Sequence, residues 1–258
     1  SITVQMLGRD MNRLYGYRQE MNTTAAGENL TILPEERALT VDITGGGVTG
    51  ISYEVRSMDR ARLVERTEVS DWQQTQQGIA ATLPIQNLLT KEREYQLIIQ
   101  LDTENYGSVY YDTRILWTDS AQHARDMVDL AADFSIKTFD YEQAKSLTTY
   151  LETSPSEDNS TFGHTSIHSS FSQLTWGKLN MQPEGNVEIR LNELDGVMCG
   201  VQLSYQAMRP GDGAAETYEV EDAFNMNWTE LRIYMMQYDR PVTNLFAGYR
   251  SETSGKRT

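Results

Sequence analysis

Ala38-Leu39-Thr40-Val41-Asp42-Ile43 and Ile51-Ser52-Tyr53-Glu54-Val55-Arg56 decide the fold, with Gly45-Gly46-Gly47 and Gly50 between them. Alternation with period two places Leu39, Val41 and Ile43 on one face of a strand, and Ile51, Tyr53 and Val55 on one face of the next. Each strand has a buried side and a wet side. The glycines between them supply the turn.

The same reading extends in both directions. Ile2-Thr3-Val4-Gln5-Met6 is strand. Residues 63–69 and 80–85 read as further strands, with Pro84 favouring a sheet edge because proline donates no ladder hydrogen bond. Residues 95–101, Tyr-Gln-Leu-Ile-Ile-Gln-Leu, are the most hydrophobic run and predict a central strand. Asn105-Tyr106-Gly107 turns into a strand over 108–115. Short strands at regular spacing, with no helical period, predict an antiparallel sandwich over residues 1–117.

These residues resemble a fibronectin type III domain over roughly 35–116. Residues 39–43, the glycine loop and residues 51–55 are similar to its strands B and C. Residues 85–95 are similar to its E–F corner, where a Leu precedes a Tyr by six positions, as Leu89 precedes Tyr95. The resemblance implies that Tyr95 packs its ring and bonds its hydroxyl back to the corner backbone, clamping the two sheets. Ile43 stands where the family usually has a Trp on strand B. The N-terminal part, with Tyr15-Gly16-Tyr17, is longer than a first strand needs. Sandwich domains host many functions, so the likeness speaks to fold.

At Trp117 the chain changes character. Asp119-Ser120-Ala121-Gln122 opens a helix, and Ala124, Met127, Val128, Ala131 and Phe134 follow at helical spacing. Asp140-Tyr141-Glu142-Gln143 repeats the opening, with Ala144, Leu147 and Leu151 on one face. Residues 153–161 are a polar loop. Strands are predicted again over 171–179, 186–194, 197–208, 217–220, 224–228 and 230–236, and Asp195-Gly196 reads as a hairpin turn. The fold class is therefore mainly β: an antiparallel sandwich over 1–117, then a helix-led antiparallel β domain (α+β) over 118–258, a helix pair plus sheet. The start at Ser1 and the polar stretch 251–258 predict a piece of a longer protein whose leader or anchor is absent.

Composition bounds the function. The 258 residues carry 37 acidic and 22 basic side chains, a net charge of −15. That balance argues against nucleic acid as the main partner, because phosphate binding needs clustered Lys and Arg. No run of about 18 apolar residues offers a transmembrane segment. The single cysteine, Cys199, lies in an apolar setting and reads as a buried small hydrophobe rather than a nucleophile.

Motifs for chemistry are weak. His164 and His168 share a face on a helix, but on a strand they stand about 13 Å apart, too far for one ion. Carboxylate pairs such as Glu188 with Glu193, or Glu219 with Glu221 and Asp222, are expected by chance in so acidic a chain and read as solvated faces rather than a hydrolytic pair. Residues 157–159 and 211–213 lack the ligand spacing of a calcium loop. Gly45-Gly46-Gly47 lacks the ending of a phosphate loop. The Asn-X-Ser/Thr stretches at Asn22, Asn29, Asn159 and Asn227 matter only in a eukaryotic secreted protein. Trp176, Tyr205, Tyr218, Trp228 and Tyr234 fall on second-half strands. Such rings fill cores or stack on sugar rings, and Trp176 and Trp228 are the candidate ligand contacts.

The expectation is a non-catalytic binding or spacer region of a bacterial cell-surface protein, without metal or cofactor. Few cysteines and strong negative charge resemble extracytoplasmic segments of Gram-positive envelope proteins. Its partner would be a glycan or a surface protein. The alternatives are a carbohydrate-binding accessory fragment of a carbohydrate-active enzyme, and a protein–protein interaction ectodomain that uses edge-strand addition at Pro84 or near the Gly107 hairpin.

Overall fold

The computed structural model describes residues 1–18, 28–86, 90–211 and 213–245. They divide into two compact units, Ser1–Arg125 with Arg190–Leu194, and Asp126–Ile189 with Asp195–Thr258. The chain is mainly β, an N-terminal antiparallel region followed by a helix and a further antiparallel sheet.

The first unit holds two five-stranded sheets, a β-sandwich-like region. The first sheet is built from β1 (Ile2–Met6), β2 (Arg9–Leu14), β4 (Leu39–Thr44), β7 (Trp72–Gln74) and β8 (Gly78–Leu83), in the order β2-β1-β4-β8-β7. The second contains β3 (Leu30–Ile32), β5 (Val48–Arg56), β6 (Leu63–Glu68), β9 (Glu94–Thr103) and β10 (Gly107–Leu116), in the order β3-β10-β9-β5-β6. All pairs are antiparallel except β3 with β10. The alternation read from the sequence sets the burial: Leu39, Val41 and Ile43 are buried, as are Ile51, Tyr53 and Val55. Residues 95–101 lie in the middle of their sheet, flanked by β5 and β10.

Two local expectations are corrected by the fold. Gly50 is not in the turn; it sits inside β5 at an irregularity opposite Asp102 and Thr103, while Gly45 and Gly47, at φ 114° and 77°, carry the chain from one sheet to the other. Pro84 does not mark an edge. Strand β8 lies between β4 and β7, and Pro84 falls just past its end, where no ladder bond is needed. Beside the Gly107 hairpin, β9 pairs along one side of β10, while β3 pairs on the other side only with Arg114–Leu116.

Strand β10 is followed by helix α1 (Ala121–Lys137), as Asp119-Ser120-Ala121-Gln122 predicts. Ala124, Met127, Val128, Ala131 and Phe134 are all buried. Asp140 caps the short α2 (Tyr141–Ala144), its carboxylate accepting the Glu142 and Gln143 N–H groups at 3.1 Å each. The expected second helix stops there. The chain tightens into a 3₁₀ turn over Lys145–Tyr150, and Leu151 is extended at its C-cap.

The second unit is built on one sheet, ordered β11-β15-β14-β13-β12: β11 (His164–Ser166), β12 (Gln182–Asp195, of which Arg190–Leu194 count with the first unit), β13 (Met198–Arg209), β14 (Glu216–Trp228) and β15 (Ile233–Asn244). Residues 217–220 and 224–228 belong to one continuous strand. The last strand begins at Ile233, later than expected, because Thr229 and Arg232 bond to each other across a turn that holds Glu230 and Leu231. The β12–β13 loop is Gly196-Val197, with Gly196 at φ 61° in its first position as a II′ turn demands, so Asp195 remains in the strand. Phe134 packs edge-on against Phe224 at 5.5 Å and tilted against Tyr238 at 4.8 Å.

The predicted strand over 171–179 is not formed. Ser170 caps α3 (Phe171–Leu174) by accepting the Gln173 N–H at 3.1 Å, and the chain then turns through left-handed Trp176 (φ 68°) and Gly177 (φ 56°). A capping serine beats a β-prone run when the next residues must turn. Among the described residues, no helix is long and apolar enough to cross a membrane.

Candidate functional site

Trp176 stands on the turn after α3 and is 1% exposed. Phe139 stacks on it at 5.2 Å, the Arg240 guanidinium lies over the ring at 3.6 Å, and its indole N–H donates to Thr138 Oγ1 at 3.3 Å. A ring so enclosed packs the core; it presents no stacking platform to a ligand. Trp228, the last residue of β14, is half-buried and shares a strand face with buried Phe224 and Met226. The two tryptophans thus occupy unlike surroundings.

Arg240 is fully buried and does more than cover Trp176. It donates to the Leu174 and Gln173 carbonyls at 2.8 and 3.1 Å and to Thr165 Oγ1 at 3.2 Å. It thereby satisfies carbonyls at the C-terminal end of α3. Beside it, fully buried Asp222 accepts from Ser135 at 2.6 Å, Tyr205 at 2.8 Å and Tyr238 at 3.4 Å. Burial raises the Asp222 pKa, opposed by Arg240 and the three hydroxyls. The Tyr205 and Tyr238 hydroxyls are pushed up by burial and by the Asp222 charge. A recess beside this cluster, lined by Ser135, Phe139 and Tyr205 among others, measures about 30 Å³. That admits a water, not a substrate. The cluster is a hydrogen-bonded polar core, which sequence reading missed because Asp222 and Arg240 look like ordinary strand-face charges.

His164 and His168 take separate partners: His164 Nε2 meets Asp239 Oδ1 at 3.1 Å, and His168 Nδ1 meets the Glu152 carbonyl at 2.9 Å. Among the described residues no three His, Cys, Asp or Glu side chains are grouped to hold a metal ion. Cys199 is buried. Tyr95 is 3% exposed, and its hydroxyl accepts the Thr90 N–H at 3.1 Å. Leu89 lies outside the described residues.

A recess with room for a ligand lies in the first unit. It measures about 700 Å³. One wall is the β1–β2 turn, Met6 to Asp10, where Leu7 (φ 53°) and Gly8 (φ 75°) both take left-handed conformations, the requirement of a tight I′ hairpin. A second wall is Ile32 to Glu36. The third is Thr118, Ala121, Gln122 and Arg125, at the start of α1. Gly8 serves two purposes, because a Cβ there would stand 2.9 Å from Arg125 Nη2. The Arg125 guanidinium therefore rests on the bare turn.

Charge around this recess is mixed. Arg9 and Arg125 line it together with Asp10, Glu35 and Glu36. Lys91 binds Glu35 at 3.0 Å and Asp119 at 2.6 Å and lies over the Trp117 ring at 4.7 Å. Asp119 and Glu35 hold the Lys91 ammonium above its usual pKa. Trp117 donates its indole N–H to the Glu35 carbonyl at 3.2 Å. Such a wall offers donors and acceptors to a polar ligand and keeps its own shape while doing so.

No known protein family matches the chain, and no curated protein is similar to it in sequence.

Proposed function

We propose that this chain is a non-catalytic binding and spacer region of a bacterial cell-surface protein, exposed outside the cytoplasm, with its ligand held in the first-unit recess. The observation that carries the reading is that recess: about 700 Å³, open, and lined by both donors and acceptors on turns held by Gly8 and by the Lys91–Glu35 ion pair. Its partner is a glycan or a surface protein. Net charge of −15 and one buried cysteine suit an acidic extracytoplasmic segment that needs no disulfide.

We further propose that the first unit is a fibronectin type III-like member of the immunoglobulin-like sandwiches. Support comes from β1-β4-β8 forming one sheet, β10-β9-β5 the other, and the Tyr95 hydroxyl bonding back to Thr90.

The test is retention of immobilised bacterial-wall and host-surface fractions by the full chain, compared with an Ala38→Trp variant that fills the recess. Retention lost in the folded variant supports the reading. Retention that survives the filled recess overturns the placement of the ligand, and turnover of any glycoside, ester or peptide in the fractions overturns the non-catalytic role.

A further inference from the structure

The outward face of the second sheet carries a surface that the recess does not explain. Tyr17 and Tyr110 exchange both backbone hydrogen bonds, at 2.9 and 2.8 Å, as an isolated antiparallel bridge on the outer side of β10. Residues paired in this way project to the same face of a sheet. The close approach depends on Gly16, where a Cβ would fall 2.5 Å from Val109 and 2.8 Å from the Tyr111 ring on the opposite face. Tyr17 is 43% exposed, and Tyr106, in the β9–β10 turn, is 62% exposed with the Arg18 guanidinium 5.1 Å from its ring centre.

The pairing register continues this row inward: Tyr110 lies opposite Gln100, and in the adjoining row Ile98 lies opposite Glu54, which lies opposite Arg66. Those side chains surround a depression of about 100 Å³. The face therefore sets tyrosine rings beside a pocket holding a guanidinium, a carboxamide and the Glu54 carboxylate, which accepts from Arg56 at 3.2 Å. Gln100 Nε2 is committed to Asp102 and Ser108, at 3.0 and 3.2 Å, which turns its amide into a fixed element of that pocket.

We infer that this face binds a neutral oligosaccharide. Glu54 and Arg56 already neutralise each other, so an anionic ligand would compete with the Glu54 carboxylate for Arg56, and a cationic one would meet Arg66. An apolar ligand would strip water from both without replacing its hydrogen bonds. A hydroxyl is donor and acceptor at once and suits a pocket that holds both kinds of partner. A pyranose adds a face of C–H bonds that lies flat on an amphipathic Tyr ring. A protein partner is the rival occupant, since Tyr and Arg also dominate protein interfaces. The inference goes beyond the recess reading and uses none of its residues.

The experiment is saturation-transfer NMR on the full chain with maltotetraose, cellotetraose, chitotetraose, mannotetraose and laminaritetraose, and with tetragalacturonate as the anionic arm. At least one neutral sugar should receive saturation on its ring C–H protons. Tyr17→Ala and Arg66→Ala, both at exposed side chains, should each weaken it about tenfold. Tyr110→Phe, which keeps the ring, should bind nearly as wild type, and Arg125→Ala in the recess should leave binding unchanged. Binding of none of the neutral sugars at millimolar concentration overturns the inference. So does preference for tetragalacturonate, or neutral-sugar binding indifferent to Tyr17→Ala and Arg66→Ala in folded protein. Loss with Arg125→Ala alone would move the sugar to the recess and overturn this site while sparing the proposed function.

Discussion

Asp222 and Ser135 meet through a 2.6 Å hydrogen bond inside the second unit, where no solvent reaches the carboxylate. Tyr205 and Tyr238 complete its donors, and Arg240 supplies the opposing charge. Burial wins over these partners and raises the folded-state pKa above the usual Asp value. The folded state thus binds the proton more tightly than the unfolded chain. Its contribution to stability is fully present below the unfolded Asp value of about 3.9 and is lost as pH rises through the raised folded value. Asp222→Asn removes that titration. Urea unfolding of both proteins between pH 4 and 7 should show the wild-type advantage shrinking as pH rises, by about 1.4 kcal/mol for each pH unit that separates the unfolded from the folded value. An advantage constant across the range would show that Asp222 does not titrate this way.

Trp176→Ala should destabilise the second unit by about 3–5 kcal/mol, the cost of emptying a buried aromatic site. The Arg240 guanidinium would lose its covering ring as well. Trp228→Ala, at a half-buried strand end, should cost clearly less. Guanidinium unfolding followed by circular dichroism separates the two, and equal costs would contradict the difference in their burial.

Tyr95→Phe deletes only the bond from the Thr90 N–H. The expected loss is about 1 kcal/mol. Tyr95→Ala also empties a buried ring site and should cost about 3–5 kcal/mol. A Phe variant as damaged as the Ala variant, by thermal unfolding, would place the stabilisation in the hydroxyl alone.

Gly78 and Gly107 both have positive φ, 152° and 69°, but differ in surroundings. A Cβ at position 78 would fall 1.9 Å from the Ile43 carbonyl oxygen, whereas nothing lies within 4 Å at position 107. Gly107→Ala should cost only the backbone penalty, about 1 kcal/mol. Gly78→Ala must also push β4 from β8 and should cost about 3 kcal/mol in all. Melting temperatures of the two variants give the comparison, and similar values would contradict the close approach.

Local pattern carried a long way in this chain. The alternation at 39–43 and 51–55 reports which side chains are buried, because period-two spacing is a property of the extended backbone itself. Helix α1 was legible for the same kind of reason, its five apolar residues falling on one face. The stretch 171–179 misled because its apolar content suits a strand or a core turn equally. Only Ser170 distinguishes them, and a cap is weak evidence until the turn behind it is seen.

The functional surfaces were less legible, since they join residues far apart in the chain. Gly8 and Arg125 are 117 positions apart, yet the guanidinium rests on that glycine. Tyr17 and Tyr110 meet only because strand order brings the N-terminal segment to the edge of β10. The extra length at Tyr15-Gly16-Tyr17 was visible, but its destination was not. The sequence by itself determined the β class, the helix after Trp117 and the acidity of the surface, because these follow from local spacing and composition. Tertiary structure alone decided that Trp176 is sealed under Arg240, that Asp222 is buried, and that tyrosines gather on one sheet face. Those outcomes depend on strand order and register, and sequence spacing encodes neither.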